Sequence, residues 1–595
     1  MSDYAAPLAD MRFVLEEIAA LPELERLGFE QATPDVVEAV LAEAGKLASE
    51  VLAPLNRSGD IEHSVLENGV VRTPRGFKEA YASFVAGGWN AISGPAEYGG
   101  QGLPHALATA TNEMWTSANL AFALCPMLTL GAIELLAAHG SAAQRQVYLG
   151  KIVSGEWTCA MNLTEPQAGT DLGALRTRAL RNGDHYLLSG QKIFITYGEH
   201  DFTPNIVHLV LARLPDAPPG SRGISCFLVP KYLVNADGSL GRRNDIRCVS
   251  LEHKLGIHAS PTCVLAYGDA GGAVGYLIGD ENEGLAGMFT MMNHARLGVG
   301  LQGVAIAERA YQQARAYARQ RVQGRPVDAK TNAPLPILHH PDVRRMLLSM
   351  RATTEATRAL AYYTAAAIDR THHHPDEKAR QAQLSRVDLL TPVVKAWSTD
   401  LGVEAASINI QVHGGMGFIE ETGAAQLLRD VRIAPIYEGT NGVQANDLVG
   451  RKLIRDGGAA MRELIRDMRA TAADLAAAPG EAVSALRRPL ADGIDALEQA
   501  SGALIAGFAG DPARALAGAV PYLKLTGLVA GGWVMAQSAL AALRRLGSGT
   551  GDARFHRAKL ATARFYAETY LATAPALLPA IAGGGTVMDF DLEEI

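Results

Sequence analysis

The run HYLLSGQKIFIT, residues 185–196, followed by NIVHLVLARL at 205–214, decides the fold. Short runs rich in β-branched and aromatic residues, bounded by turn residues, are strands. Three similar runs follow: GISCFLVPKYLV at 223–234, DIRCVSLEHKLGI at 245–257 and PTCVLAYGDA at 261–270. Asn182-Gly183-Asp184 and Asp237-Gly238 supply turns between them. Residues from about 158 to 280 therefore predict a β domain of six to eight strands set inside a helical protein.

Outward from this block the pattern is helical. Thr33 then Pro34 opens a helix in which Val36, Val37, Val40, Leu41, Ala44, Leu47, Ala48 and Val51 recur at helical spacing, with Pro54 expected to end it. A loop, SGPAEYGGQGLP at 93–104, precedes an apolar helical stretch from Leu107 to His139. Beyond Glu283, Gly284–Val322, His340–Asp369 and Ala379–Val412 are long and amphipathic. RTHHHPDEK at 370–378 parts two of them. Its histidines are adjacent and lack a carboxylate at helical spacing, so they read as solvated rather than as metal ligands. From about 456 the chain is Ala-rich and helical to about Leu578, ending in the acidic DFDLEEI. Leu525–Leu543 carries no charge and reads as a buried helix of this extension, with membrane contact the lesser alternative. The division expected is 1–157 helical, 158–282 β, 283–455 helical and 456–595 an extra helical domain.

With 595 residues, 48% hydrophobic and 19% charged, the chain has ample core for several domains. A net charge of −8 gives nothing for nucleic acid or an anionic membrane to bind broadly. The five cysteines form no Cys-x-x-Cys pair, and the N-terminus lacks a basic stretch before an apolar one. A reducing, cytoplasmic setting without a signal peptide is expected.

Gly298-Val-Gly300-Leu-Gln-Gly303 matches G-x-G-x-x-G but lies within a helical pattern, so the glycines read as close helix packing rather than a dinucleotide loop. No phosphate-binding P-loop, H-E-x-x-H or G-x-S-x-G is present. Four stretches remain as candidates. In MNLTEPQAGTDLGALRTRA, 161–179, an interrupted loop offers Thr164, Glu165, Gly169, Thr170 and Asp171. QKIFITYGEH, 191–200, carries Phe194 and Thr196. Arg321 to Arg325 is basic and lies at a helix end. The fourth, QVHGGMGFIEETGAAQLLRDVRIAPIYEGTNGVQ at 411–444, places Glu438 after Pro435, Ile436 and Tyr437 and before Gly439 and Gly442. The apolar run desolvates a base and the glycines admit a ligand, or Glu438 is a solvated carboxylate on a helix connection. Taken one at a time, each stretch favours its plain reading.

Taken together and in order, AEYGGQGLP, LTEPQAGTD, GQKIFITYG, HKLGIHASPT, QVHGGMGF and IYEGTNGVQ resemble the acyl-CoA dehydrogenase family of flavoproteins over about 35–455. The extension is similar to that of longer bacterial members, a subgroup that includes enzymes of 3-methylthiopropionyl-CoA. The resemblance implies an α+β multidomain fold: an N-terminal helical domain, a central β-barrel-like domain, a helical bundle and an extra C-terminal helical domain. It implies FAD-dependent oxidation of a fatty acyl-CoA or 3-methylthiopropionyl-CoA to the trans-2-enoyl-CoA. Electrons would go to an electron-transfer flavoprotein. Glu438 matches the catalytic base; Ala295 stands where other relatives carry theirs. FAD contacts would be Thr164, Gly169, Thr170, Phe194 (Trp in most relatives), Thr196 and Thr440. Arg321, Gln411 and Gly415 would reach a neighbour's flavin, implying a homodimer or higher homo-oligomer. Thr170, Asn293, Arg296 and Gly439 match substrate positions. The family's Arg-x-x-Phe-Gly is here Arg321-Val-Gln-Gly, which alters the adenine end. An oxygen-using acyl-CoA oxidase and a non-catalytic assembly protein on the same fold remain open alternatives.

Overall fold

The computed structural model describes residues 4–327 and 333–594. The chain forms two compact units, one of Met1–Ala42, Pro104–Glu113 and Arg296–Ile595, the other of Glu43–Leu103 and Met114–Ala295.

In the second unit the expected strands form β1 (Trp157–Asn162), β2 (Arg178–Asn182), β3 (His185–Thr196), β4 (Asn205–Arg213), β5 (Ile224–Pro230), β6 (Ile246–Leu251), β7 (Thr262–Tyr267) and β8 (Ala273–Ile278). Their order is β6-β7-β3-β8-β5-β4-β1, and β2 pairs with both β3 and β4. The pairing of β2 closes β3, β8, β5 and β4 into a ring, which removes edges from that part of the sheet. Alternate residues of β4 enter opposite cores. Ile206, Val210 and Ala212 join Phe227 and Leu265 on one side. Val207, Leu209 and Leu211 join Leu135 and Leu136 of the helix Leu120–His139 on the other. Both faces being covered, the strand reads as a continuous apolar run.

Two helical readings are corrected. Pro54 does not end its helix: helical backbone runs on through a π turn, Leu47–Leu52, into Ala53–Glu62, and Pro54 sits directly after that wider turn. Leu107–His139 is two helices, His105–Ala118 and Leu120–His139, because Asn119 turns extended and its side chain caps the Phe122 N–H at 3.1 Å. A hairpin, Val65–Glu67 with Val70–Arg72, also escaped the reading, although Asn68-Gly69 at positive φ is the usual signal for it.

The first unit is built on α1 (Gly284–Gln320), of which it holds the part from Arg296, with α2 (Pro341–His373), α3 (Glu377–His413), α4 (Asn441–Asp447), α5 (Ala519–Ser548) and α6 (Ala553–Thr569). The G-x-G-x-x-G glycines lie inside α1, as expected. A Cβ at Gly300 would come within 2.7 Å of the Val394 carbonyl oxygen, and one at Gly303 within 2.2 Å of that of Ser398. Two backbones therefore touch where only glycine fits. The break between α2 and α3 comes at His374-Pro375, after α2 has run through the other two histidines.

The extension is packed into this unit in two ways. The Trp397 ring of α3 lies against Gly527 and Gly531 of α5, each of which would place a Cβ 2.4 Å from the ring. Leu525–Leu543 is accordingly buried within α5; the hydrophobic window that would let this helix cross a membrane by length and composition is 89% buried inside the protein. Lys559 of α6 enters a buried charge cluster, pairing with Asp10 and, at 2.9 Å, with Glu355. There Arg358 of α2 meets Glu113 at 2.5 Å, Asp10 at 2.7 Å and Glu308 at 2.8 Å.

Gly303→Ala is expected to destabilise this unit by about 1–3 kcal/mol, as overpacking does, measured as a lowered midpoint in denaturant unfolding; an unchanged midpoint would refute the packing assignment.

Candidate active site

Glu438 is held on a turn, not a helix. The Ile436 and Tyr437 N–H groups both donate to the Ile433 carbonyl, at 2.8 and 3.1 Å. Glu438 then takes φ +56° and Gly439 φ +81°. For a residue with a Cβ the left-handed region costs about 1–2 kcal/mol, so something must hold it there. Thr440 caps α4, its hydroxyl accepting from the Val443 N–H at 3.2 Å. The Gln444 amide donates to the Glu438 carbonyl at 3.2 Å. Lys395, on α3, donates to the Gly439 carbonyl and to the Asn441 side-chain oxygen, both at 2.9 Å. The Asn441 amide ties α4 back to α3 through the Ala396 carbonyl at 3.0 Å and Asp400 at 2.7 Å. Tyr437 donates its hydroxyl proton to Gln302 of α1.

The two glycines after the carboxylate separate in role. Gly439 needs its positive φ, and a Cβ there would meet the Gln444 amide at 2.7 Å. Gly442 is helical and has room.

Among the described residues, the half-buried Glu438 carboxylate makes no hydrogen bond or ion pair, and no acceptor receives the Glu438 N–H. Burial raises its carboxyl above the usual 4.5, and the charges of Arg296 and Lys395 pull it part of the way back. Lys395 is fully buried. Burial brings its ammonium down to about 8, with Glu438 and then Asp400 opposing that fall and Arg296 adding to it. Burial likewise lowers the half-buried Arg296 guanidinium, against the pull of Asp447 and Glu438. The site is a desolvated carboxylate faced, but not neutralised, by two cations. Such an arrangement suits a base that must be ionised yet reactive.

Of the other expected residues in this unit, Arg321, Gln411, Gly415 and Thr440 are exposed. Arg321 donates to Gln323 at 3.2 Å just beyond the end of α1. Gly415 has nothing within 4 Å of a Cβ position.

In the other unit, the loop after β1 is organised by Glu165. Its carboxylate accepts from Lys192 at 2.8 Å and from the Arg176 and Thr177 N–H groups at 2.6 and 3.0 Å. Burial pushes this carboxyl up, but Lys192 and those donors outweigh it and hold it at about 2. Glu165 is thus an anchor, not a ligand. The anchored loop presents Gly169 and Thr170 to solvent, with Thr164 half-buried and its carbonyl accepting from the Ile193 N–H at 2.9 Å. On β3, Phe194 has φ +60° and is 58% exposed, and Thr196 is half-buried at the strand's end. An apolar ring turned outward on strained backbone fits a planar ligand better than it fits water. Asn293 is exposed one turn before Arg296 on α1, and Ala295 is buried, 2% exposed.

Lys395, Gln302, Asn441 and Gln444 were not singled out from the sequence. The signal for Lys395 was present: a lone cation inside the apolar TPVVKAWS.

Family profiles match in chain order: "Acyl-CoA dehydrogenase, N-terminal domain" at 35–156, the middle domain at 160–270, the C-terminal domain at 282–453 and "Acetyl-CoA dehydrogenase C-terminal like" at 464–591. The chain is 50% identical over 570 residues to the 3-methylmercaptopropionyl-CoA dehydrogenase of Ruegeria pomeroyi, covering 96% of each. It is 33% identical over 594 residues to the broad-specificity linear acyl-CoA dehydrogenase FadE5 of Mycobacterium tuberculosis, again covering 96% of each. An acyl-CoA dehydrogenase from Bacillus anthracis complexed with FAD shares the fold at a TM-score of 0.75 and 20% identity, over 98% of this chain and 92% of that one.

Gly439→Ala is expected to cost about 1–2 kcal/mol from its positive φ and to displace Glu438, measured as lowered unfolding stability together with slowed turnover; a fully active, equally stable variant would refute the turn's role.

Proposed function

The chain belongs to the acyl-CoA dehydrogenase family, and from that premise we propose that Glu438 removes the α proton of an acyl-CoA thioester as it is oxidised to the trans-2-enoyl-CoA. The protein is an oxidoreductase of acyl-CoA thioesters and a flavoprotein of an FAD-dependent family. Bound FAD supplies the acceptor that takes the β hydrogen as hydride.

The observation that carries the reading is Glu438 itself. Its carboxylate is desolvated and without a direct ion pair, and its N–H has no acceptor among the described residues. The carboxylate takes the α proton, while the N–H donates to the thioester oxygen as enolate charge develops there. Ala295, buried and without an ionisable group, leaves no second base at the position used by some relatives.

Thr164, Gly169, Thr170, Phe194, Thr196 and Thr440 would hold FAD, and the outward-facing Phe194 is the strongest support for a flat ring there. Thr170, Asn293, Arg296 and Gly439 are the residues this reading assigns to substrate binding. Arg321, Gln411 and Gly415 serve the flavin of a second copy in a homodimer or larger homo-oligomer; their exposure supports this. A 3-methylthiopropionyl-CoA substrate is supported by 50% identity along nearly the whole of the Ruegeria pomeroyi enzyme. Reducing equivalents leave to an electron-transfer flavoprotein. Five buried free thiols support a cytoplasmic setting.

Glu438→Gln should retain FAD and acyl-CoA while flavin bleaching on rapid mixing falls by about 10²–10⁴-fold, the worth of a general base; normal bleaching would sink the assignment. Because burial raises the carboxyl, bleaching by the parent enzyme should climb with pH through a limb lying above 4.5; a limb below that value would contradict the desolvated site. In a dye-reduction screen across acyl-CoA chain lengths, 3-methylthiopropionyl-CoA should give the highest kcat/KM; a clear preference for long fatty acyl-CoA would reject the substrate.

A further inference from the structure

The helix α3 is buried along much of its length, and Lys395 sits in its apolar stretch with no exposed surface. Among the described residues its ammonium has no carboxylate within ion-pair distance. Its two acceptors are neutral: the Gly439 carbonyl and the Asn441 side-chain oxygen, each at 2.9 Å. Burying an ammonium without a paired anion is costly. A neutral amide at this place would supply a hydrogen bond to Gly439 without that cost. The charge is therefore explained by what it faces rather than by what it bonds.

We propose that Lys395 is a positioning residue for the proton-abstracting carboxylate: its ammonium fixes the Gly439 carbonyl, and so the turn that aims Glu438, and presents a positive charge to Glu438 from α3. The proposal rests on the reading of Glu438 as base. The charged and titratable groups around this pair are few. Arg296 faces Glu438 from α1, and Tyr437 neighbours it on the turn. Asp400 faces Lys395 along α3, and is itself faced by Lys524 of α5 and by Arg432. Asp400 accepts from Asn441 at 2.7 Å, so the anion on α3 is already engaged by the residue that Lys395 bonds. Glu438 is first among the groups that stabilise the charged lysine. By reciprocity, the charged lysine favours the ionised base, which is the form that accepts the α proton.

The test uses FAD-loaded full-length enzyme, with 3-methylthiopropionyl-CoA and butyryl-CoA as probes, and reads bleaching rate against pH. Lys395→Met should bind FAD and acyl-CoA, bleach about 10–100-fold more slowly, and move the acid limb upward by about one pH unit, since Glu438 has lost a neighbouring cation. Asn441→Ala, which keeps the charge and removes one anchor, should slow bleaching severalfold and leave the acid limb in place. Parent-like rate and acid limb in Lys395→Met overturn the proposal. So does a slowed Lys395→Met whose limb does not move, since that is mere structural support. Should Lys395→Met fail to hold FAD, Lys395→Arg carries the test. The retained charge must leave the limb within about 0.3 pH unit of the parent while the altered reach slows bleaching; an upward displacement there overturns the proposal. Loss of bleaching in Glu438→Gln with an unmoved limb in Lys395→Met rejects Lys395 alone, whereas normal bleaching in Glu438→Gln rejects the base reading beneath it.

Discussion

The left-handed backbone of Glu438 is the constraint on which the site depends. A strained residue persists only where its surroundings over-determine it. Here the determinants come from several directions. Gln444 of α4 bonds the Glu438 carbonyl, Lys395 of α3 bonds the next carbonyl, and Gln302 of α1 accepts from the preceding tyrosine. Removing water strengthens the carboxylate as a base, but it also favours the neutral acid, which is no base at all. Two cations that face the carboxylate without bonding it resolve this opposition. They favour ionisation while leaving the oxygens open.

Those cations are only as fixed as the helices that carry them. Lys395 and Trp397 lie two residues apart on α3, and Trp397 is seated on Gly527 and Gly531 of the extension. A Cβ at either glycine would have to enter the ring, so α5 and α3 are fitted to each other at this point. The extension is bound a second time where Lys559 joins Asp10 and Glu355. Breaking a buried pair on one side only is strongly unfavourable. The extension thus buttresses the helix behind Glu438, and its apolar α5 finds its covering inside the protein.

What the sequence disclosed follows from how local each signal is. The strands were legible because β-branched runs and turn residues are neighbours in the chain, and the eight found in the main sheet stand at the top of the expected range. The G-x-G-x-x-G glycines were legible as packing because the helical pattern ran through them. Pro54 and Asn119 were misjudged because a π turn and a single extended residue change the backbone without changing the apolar pattern. Glu438 stood out only in the ordered company of the other motifs. Lys395 was missed because its partners lie more than 40 positions away, at Gly439 and Asn441. Glu165 illustrates the converse: a polar residue in a candidate loop proved to be the loop's anchor.

On the proposed reading of Glu438 as the base, its place at residue 438 rather than residue 295 has a physical logic of its own. The α proton and the thioester oxygen lie on neighbouring groups of the substrate, so a base and an oxyanion donor on one residue can serve both. In a helix interior the N–H is committed to the carbonyl four residues back. Ala295 lies well inside α1, and its side chain is buried. A carboxylate placed there would need a new cavity, and its N–H would be unavailable. At a left-handed turn the N–H is released from both helix and sheet pairing, and among the described residues the Glu438 N–H has no acceptor. The strain at Glu438 is thus what lets a single residue offer proton acceptor and hydrogen-bond donor together. The lysine-held turn is what keeps the two in register.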